Sequence, residues 1–298
     1  MTDRFEQPGA MRAWSRAARL AGRRVVLVPT MGALHDGHIA LLRAAARLGD
    51  AVVASIFVNP TQFGPGEDFE RYPRPLAADL EACATAGVHA VFVPPAGSLY
   101  AADHSTWVVE ESLALPLEGE CRPGHFRGML TVVLKLLHIV EPEVAVFGQK
   151  DAQQALLIRR MVRDLDLPVT LAIEPTVREP DGLALSSRNV GLDAEERRRA
   201  PVLARALLAC RSRLAAGETD PAAARAAGLA LLEAEARAGG QAPLTVDYFE
   251  VVDLDTLRPP VRTGTPLLIA GAVRLGRTRL IDNLVHHPQP PFAEGLSI

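Results

Sequence analysis

The stretch "VVLVPTMGALHDGHIALL", Val25 to Leu42, decides the fold. An apolar run ends at Pro29, passes Gly32, His35, Gly37 and His38, and becomes apolar again. Val25–Val28 reads as a buried strand and the segment from about His38 as a helix, so "PTMGALHDGH" lies at the strand's carboxyl end. A helix opening near Gly37 would aim its unpaired N–H groups and positive dipole end at whatever binds there, which favours phosphate. Gly37 lets a flat ring approach the backbone as no side chain would. On a helix, positions three apart share a face, so His35 and His38 could both point at the same anion. His-x-x-His is also a possible metal-ligand spacing, and a loop that merely caps the helix is the plain alternative. A GxGxxG dinucleotide fingerprint is absent. The other six histidines (His89, His104, His125, His138, His286, His287) form no matching ligand cluster, and the phosphate reading leads.

Working outward, strand-like runs recur at 24–28, 51–58, 90–93, 144–147 and 169–173, with helix-like stretches at 38–48, 76–86, 129–139 and 152–165. Solid V/I/L/A strands separated by helices predict an α/β fold with a parallel sheet covered on both faces. Ligands of such sheets sit beyond the carboxyl ends of the strands. The second half differs: Ala/Arg/Glu/Leu-rich helices at 194–216 and 221–238 precede strands at 244–253, 266–273 and 278–284. That order predicts a smaller α+β domain with a boundary near Pro175–Val177, and an irregular tail at "HHPQPPFAEG".

Composition narrows the function classes. The chain has 298 residues, 48% of them apolar, enough for two domains. A formal charge of −3 gives no reason to expect a nucleic-acid binder. No signal peptide opens the chain and no apolar run reaches membrane length, so neither secretion nor a membrane span is expected. Cys83, Cys121 and Cys210 stand far apart without CxxC spacing, which suits buried thiols in a reducing cytoplasm. Thirty of the 32 basic residues are arginine; the two lysines are Lys135 and Lys150.

Three more segments fall at strand ends. "SIFVNPTQFG" puts Asn59 and Gln62 after the second strand, where neutral amides suit a substrate bearing hydroxyl and carboxylate groups; Asn-Pro is also a common turn. "FGQKDAQQ" follows the 144–147 strand with Gly148, Lys150, Asp151, Gln153 and Gln154. A lysine at that junction reaches phosphates as a point charge, and the adjacent Asp can hold ribose hydroxyls or magnesium. In a chain that otherwise writes arginine, this lysine hints that a planar fork would not serve there; Lys135, inside "VVLKLLHIV", reads as a snorkelling helix residue. "REPDGLALSSRN", Arg178 to Asn189, packs a turn, two hydroxyls (Ser186, Ser187) and Arg188 into a short loop. Such groups can grip a triphosphate and neutralise charge on leaving pyrophosphate; alternatively Ser187 and Asn189 cap the next helix.

Together, "PTMGALHDGH", "FVNPTQF", "FGQKDAQQ" and "GLALSSRN", in this order, resemble the pantothenate synthetase (pantoate–β-alanine ligase) family of the nucleotidyltransferase superfamily. "YPR" at 72–74, "RPGHFRGMLTVVLKLL" at 122–137 and "TRLIDN" at 278–283 extend the resemblance over roughly Val25 to Asn283. Two positions depart from the family's pattern: Gln149 replaces its usual Glu, removing a charge beside Lys150, and Leu185 replaces its usual Met, a near volume match.

The resemblance implies a Rossmann-like parallel-sheet domain over residues 1–176 and a smaller α+β domain over 177–298 that closes over the site. It implies an ATP-dependent, AMP-forming ligation of pantoate to β-alanine through a pantoyl adenylate, in a cytoplasmic homodimer, with Mg2+ carried by ATP rather than by a protein metal site. By resemblance, His35, His38, Lys150, Ser186, Ser187 and Arg188 are catalytic and handle the ATP phosphates. Gly37, Asp151 and the backbone near Val177 take the adenosine, with Met31, Gly148 and Leu185 also in ATP contact. Gln62 and Gln154, helped by Met31 and Pro29, hold pantoate, and Asn59 with Gln62 orients β-alanine. A cytidylyltransferase would share the His35-x-Gly37-His38 signature but not "FVNPTQF" or "FGQKDAQQ", and a non-catalytic nucleotide binder would bind without turnover.

Overall fold

The apolar run at Val25 becomes the centre of a sheet because its residues are the kind that pack on both faces of one. In the computed structural model, which describes residues 2–67, 69–260 and 263–288, the chain forms two compact units. The first comprises Met1–Gly148 and Gln153–Glu174, and the second Gln149–Ala152 and Pro175–Ser297.

The first unit runs β1 (Asp3–Phe5), α1 (Pro8–Leu20), β2 (Val25–Thr30), α2 (Asp36–Leu48), β3 (Ala51–Ile56), α3 (Leu76–Thr85) and β4 (Ala90–Phe92). It continues through the short helices α4 (Ala96–Leu99) and α5 (Glu118–Cys121), then α6 (His125–Val140), β5 (Val144–Gly148), α7 (Ala152–Asp164) and β6 (Thr170–Glu174). The sheet order is β1-β4-β3-β2-β5-β6, and every pairing is parallel. Val25–Val28 and all of β3 are buried, as solid apolar strands covered on both faces require. One face of the core is formed by Val26, Val28, Val52, Ala54, Val91, Val144 and Val146 against Leu42, Ala44 and Ala45 of α2.

The topology creates a crevice. β3 and β4 build out on one side of β2, and β5 and β6 on the other. β2 pairs with β3 along its whole length, through Thr30↔Ile56, but with β5 only at Val26↔Val144 and Leu27↔Ala145. Beyond Leu27 the carboxyl ends of β2 and β5 therefore part. Such a switch point is where ligands of doubly wound sheets bind, and it presents Pro29 to His38.

The second unit follows with α8 (Ala194–Arg199), α9 (Val202–Ala215) and α10 (Pro221–Ala238), then β7 (Leu244–Asp253), β8 (Leu267–Leu275) and β9 (Thr278–His286). The three strands form an antiparallel sheet in the order β7-β8-β9. Its core is Leu203, Ala206, Leu207 and Cys210 of α9 with Leu232, Phe249, Ile269 and Val273.

Three expectations need correction, and two elements are added. The helix read as 194–216 is two, because Pro201 has no N–H to donate and separates α8 from α9. α6 begins at His125 rather than Met129, following Gly124 at φ 83°. β1 and α1 are unread in the sequence: β1 pairs with β4, and α1 buries Met11, Ser15 and Ala18. The tail read as irregular starts too early: His286 ends β9, and residues 289–298 lie outside the described ones.

Candidate active site

The opening stretch folds as a sequence of hydrogen bonds. After β2, the Thr30 hydroxyl donates to the Ser55 carbonyl and accepts from the Gly32 amide. Gly32 (φ 85°) and Ala33 (φ 51°) adopt left-handed backbone, a strained choice for alanine. Buried Asp79 of α3 holds them there, its two carboxylate oxygens accepting from the Ala33 and Leu34 amides at 2.9 and 2.8 Å. A Cβ on Gly32 would come within 2.8 Å of that carboxylate.

His35 is the N-cap of α2, which starts at Asp36, one residue before the Gly37 expected. His35 Nδ1 accepts from the Gly37 amide at 3.1 Å, and His38 Nδ1 accepts from the His35 amide at 3.3 Å. The rings lie 4.1 Å apart between centroids. His35 does cap the helix, and the cap has a chemical consequence. A ring nitrogen that accepts a hydrogen bond carries no proton, so in each neutral imidazole the proton sits on Nε2. The cap turns both histidines into Nε2–H donors at the helix N-terminus, where an anion is favoured.

The "FVNPTQF" segment forms a 3-10 turn, Pro60–Gln62, capped by Asn59. Asn59 Nδ2 donates to Gln62 Oε1 (3.1 Å) and the Gly128 carbonyl (3.2 Å), while Oδ1 accepts from the Thr61 amide and hydroxyl. Two donors and two lone pairs are all an asparagine amide has. Asn59 is therefore saturated by the protein and orients Gln62. Gln62 Nε2 points at the Met31 thioether, 3.3 Å away.

Residues to which the sequence assigns no role support this turn. Neutral His125 donates from Nδ1 to the Gln62 carbonyl (2.9 Å), and its Nε2 accepts from Arg122 (3.1 Å). Arg122 in turn makes a bidentate pair with Glu67 at 2.8 and 2.7 Å. Burial above all, with Arg122 beside it, pushes the His125 imidazole down to about 4. For Glu67, burial opposes ionisation but is outweighed by the Arg122 hydrogen bond and charge, so its carboxyl lies below the ordinary range. A Cβ on Gly128 would run into the Thr61 carbonyl, so only glycine lets α6 approach the turn this closely.

The two glutamines that open α7 divide their work. Gln153 is buried, donates to the Leu113 and Pro116 carbonyls at 2.8 Å each, and accepts from the Glu118 amide at 3.1 Å. Its neighbour Gln154 is half-buried. Gly148 ends β5, and a Cβ there would meet only Leu41 at ordinary contact distance, so nothing in the protein's own packing demands glycine.

The second unit carries the other group of candidates. Gln149–Asp151 form a 3-10 turn. Lys150 Nζ is 4.0 Å from an oxygen of the more exposed Asp151. The turn's carbonyls are clamped by buried Asn283: Nδ2 donates to Gln149 O (3.0 Å) and Lys150 O (2.9 Å), and Oδ1 faces Gln149 Nε2 at 3.4 Å. The Arg178–Asn189 loop is a small hairpin, with Arg178 bridged to Ala184, the Leu185 amide on the Val177 carbonyl (3.0 Å), and Gly182 at φ 93° in its turn. Ser186 Oγ accepts from the Arg188 amide at 3.3 Å and caps the 3-10 turn Ser187–Gly191. The next helix, α8, is capped by Asp193 instead, which corrects the reading that gave Ser187 and Asn189 that task.

Among the described residues no cluster of three or more His, Cys, Asp or Glu could hold a metal ion, and no helix is long and apolar enough to cross a membrane. Cys83 and Cys210 are buried thiols, pushed up to about 11 and about 12 by desolvation, and take no part in chemistry near neutral pH.

Comparisons with known proteins agree with this architecture. The family model described as pantoate-beta-alanine ligase matches residues 3–285. A pantothenate synthetase from Moorella thermoacetica is 52% identical over 276 residues, spanning 93% of this chain and 95% of the relative. The crystal structure of pantothenate synthetase from Thermus thermophilus has 46% identity and a TM-score of 0.85, with 95% of this chain and 99% of that one covered. A pantoate-beta-alanine ligase from Francisella tularensis, complexed with beta-gamma ATP and beta-alanine, has 30% identity and a TM-score of 0.76, covering 97% of this chain and 100% of its own. With the parallel sheet, the paired histidine donors and a match over nearly its whole length, the chain belongs to the pantoate–β-alanine ligase family.

Proposed function

We propose that this protein condenses pantoate with β-alanine at the expense of ATP, forming pantothenate, AMP and pyrophosphate. The observation that carries the reading is the His35–His38 pair at the N-terminus of α2, whose Nδ1 atoms both accept backbone amides and so put both ring protons on Nε2.

In the first step a pantoate carboxylate oxygen attacks the α-phosphorus of ATP, and the bond to the bridging oxygen of pyrophosphate breaks. In the second, the β-alanine amine attacks the acyl carbon, loses a proton and expels AMP. The protein supplies little covalent chemistry; positioning and stabilisation of charge on phosphoryl oxygens carry the rate. His35 and His38 donate from Nε2 to the transferring phosphate. Lys150, Ser186, Ser187 and Arg188 neutralise charge on the departing pyrophosphate. Gly37, Asp151 and the backbone at Val177 take the adenosine, with Met31, Gly148 and Leu185 alongside. Gln62 and Gln154 hold pantoate against Met31 and Pro29, with Asn59 setting the Gln62 amide toward pantoate and the incoming amine.

ATP enters as its magnesium complex. Mg2+ rides on the triphosphate, where it would withdraw charge from the phosphate oxygens, and the exposed Asp151 carboxylate beside Lys150 stays with the adenosine. The enzyme works in the cytoplasm, as a homodimer.

The test is AMP formation from ATP, pantoate and β-alanine, with pantoate omitted as control. Pantoate-dependent AMP is expected. CTP turnover without pantoate would indicate a cytidylyltransferase, and nucleotide binding without turnover a non-catalytic protein.

A further inference from the structure

Lys150 and the Ser186–Arg188 cluster lie far apart in sequence, yet two adjacent residues of β9 reach both segments. Successive side chains of a strand point to opposite faces, so Asp282 and Asn283 serve different neighbours. Asn283 clamps the Gln149 and Lys150 carbonyls at 3.0 and 2.9 Å. Asp282 receives Arg178 through both terminal guanidinium nitrogens, Nη1 and Nη2, at 2.6 and 2.8 Å. The same arginine donates to the Gly182 carbonyl (3.0 Å) inside its own hairpin and to the Asn283 carbonyl (3.3 Å). Arg178 begins the hairpin that delivers Ser186, because it bridges to Ala184. Asp282 is also fixed by accepting the Asn283 amide at 2.8 Å. Both β9 side chains are almost wholly buried, at 5% and 3% exposure, so neither is a surface group available to solvent.

We propose that Asp282 and Asn283 are positioning residues for phosphate handling: one dipeptide on β9 holds in register the turn that presents Lys150 and the hairpin that presents Ser186, Ser187 and Arg188. Neither residue touches a reacting atom. The inference rests on the ligase reading above, since it assigns a purpose to groups that reading gives to ATP. Its physical basis is the stringency of charge placement, for which a displacement of about 1 Å can lower a rate on the order of 100-fold. Lys150 has a flexible stem, and only a fixed backbone makes its reach definite. Two carbonyls shared by one amide supply that fixity. Burial raises the Asp282 pKa and is only partly offset by Arg178 and, least of all, by the charge of Lys150.

The experiment is a double-mutant cycle between Asn283→Ala and Lys150→Ala in the full chain, read in two ways. The first reading is pantoate-dependent pyrophosphate release without β-alanine; the second is ATP affinity by direct titration. Asn283→Ala is expected to slow pyrophosphate release about 10- to 100-fold, with the pantoate KM within about twofold. Reaction of supplied pantoyl adenylate with β-alanine should change far less, since no pyrophosphate leaves in that step. In the Lys150→Ala background, Asn283→Ala should cost almost nothing further, because it acts through the lysine. Arg178→Lys, which keeps the charge but loses the fork, should be milder than Arg178→Ala. If Asn283→Ala does not fold, Asn283→Ser, which retains one donor, enters the same cycle. Losses that multiply in the double variant, or that fall equally on both half-reactions, would overturn the proposal and leave Asn283 a general structural residue. A parent enzyme that binds ATP but releases no pyrophosphate would instead strike the ligase reading, with the clamp still judged by the ATP-affinity cycle.

Discussion

The two regions proposed to handle phosphate are built in opposite ways. The His35–His38 region is local: the amides that occupy the Nδ1 atoms belong to Gly37 and His35 itself, no more than three residues away. The Lys150 turn is held from a distance, by Asn283, 133 residues further along the chain. A local device forms whenever its helix forms. A distant one exists only after β9 has been laid down beside it, so it couples the site to the folding of the second unit. The contrast teaches that a donor can be set by its neighbours' backbone, whereas a flexible cation needs its backbone set by something else.

The comparison breaks most visibly at Lys150. Lys150→Ala should lower the rate of pyrophosphate release without β-alanine by about 100- to 1,000-fold, the usual loss on removing a preorganised electrostatic group. Lys150→Arg should recover little, because a planar fork does not replace a point charge. Lys135→Arg is the silent control: its ammonium lies over the Tyr100 ring, 5.4 Å from the centroid, and the longer side chain keeps a cation there. Rescue by Lys150→Arg would show that the lysine's compactness is irrelevant.

His35→Asn sharpens the local half. Asparagine is a good N-cap, so the helix start is retained while the Nε2–H donor is lost. Thermal stability should shift by no more than about 0.5 kcal/mol, the span of cap residues of similar quality, yet adenylation should fall about 100-fold. Equal loss of stability and rate would mean that the imidazole only caps. Stoichiometric zinc in the purified protein, lost in His38→Ala, would revive the metal reading.

His125 offers a pH test of the Gln62 support. Burial depresses its folded pKa to about 4 from the ordinary 6.5. The unfolded chain therefore takes up this proton first as the pH falls. The stabilising contribution is fully present above about pH 6.5 and is lost as the pH drops to 4, by about 3 kcal/mol in total. Denaturant midpoints measured across that range should fall more steeply for the parent than for His125→Asn, which retains a donor to the Gln62 carbonyl but cannot titrate. Parallel curves would remove His125 from the chain of contacts that runs Glu67, Arg122, His125, Gln62.

Gln149→Glu carries the smallest expected effect. From sequence alone activity should stay within a few-fold, because Lys150 and Asp151 remain. The structure adds that a carboxylate would face Asn283 Oδ1 where Gln149 Nε2 now stands, so a stability loss of about 1–2 kcal/mol should accompany it. A large gain in turnover would mean that the turn is impaired as it stands.

What can be read in the sequence follows the same division. The parallel sheet, the strand-to-helix turn at His35 and the loop with Ser186 all announce themselves by periodicity or short spacing. Asp79 does not: it lies 45 residues beyond the Leu34 amide it holds, and nothing local distinguishes it from any helix aspartate. Gln153 and Gln154 are adjacent and chemically identical, and only the carbonyls of Leu113 and Pro116 reveal which one is committed to structure. Asn59 is legible as a site residue but not as a saturated one. "TRLIDN" and "RPGHFRG" are visible as motifs, yet without Arg178, Lys150 and Gln62 beside them they carry no chemistry. Pro201, by contrast, is a readable helix break masked by the Ala- and Arg-rich run around it.

The most direct measurement follows an oxygen atom. Pantoate labelled with 18O in its carboxylate is incubated with the enzyme, ATP and β-alanine, and the products are weighed by mass spectrometry. Attack by the carboxylate on the α-phosphorus, followed by amine attack on the acyl carbon, leaves one labelled oxygen in AMP and none in pyrophosphate. Label in inorganic phosphate together with ADP, or AMP free of label, would contradict adenylation and with it the roles proposed for the histidine pair and Lys150.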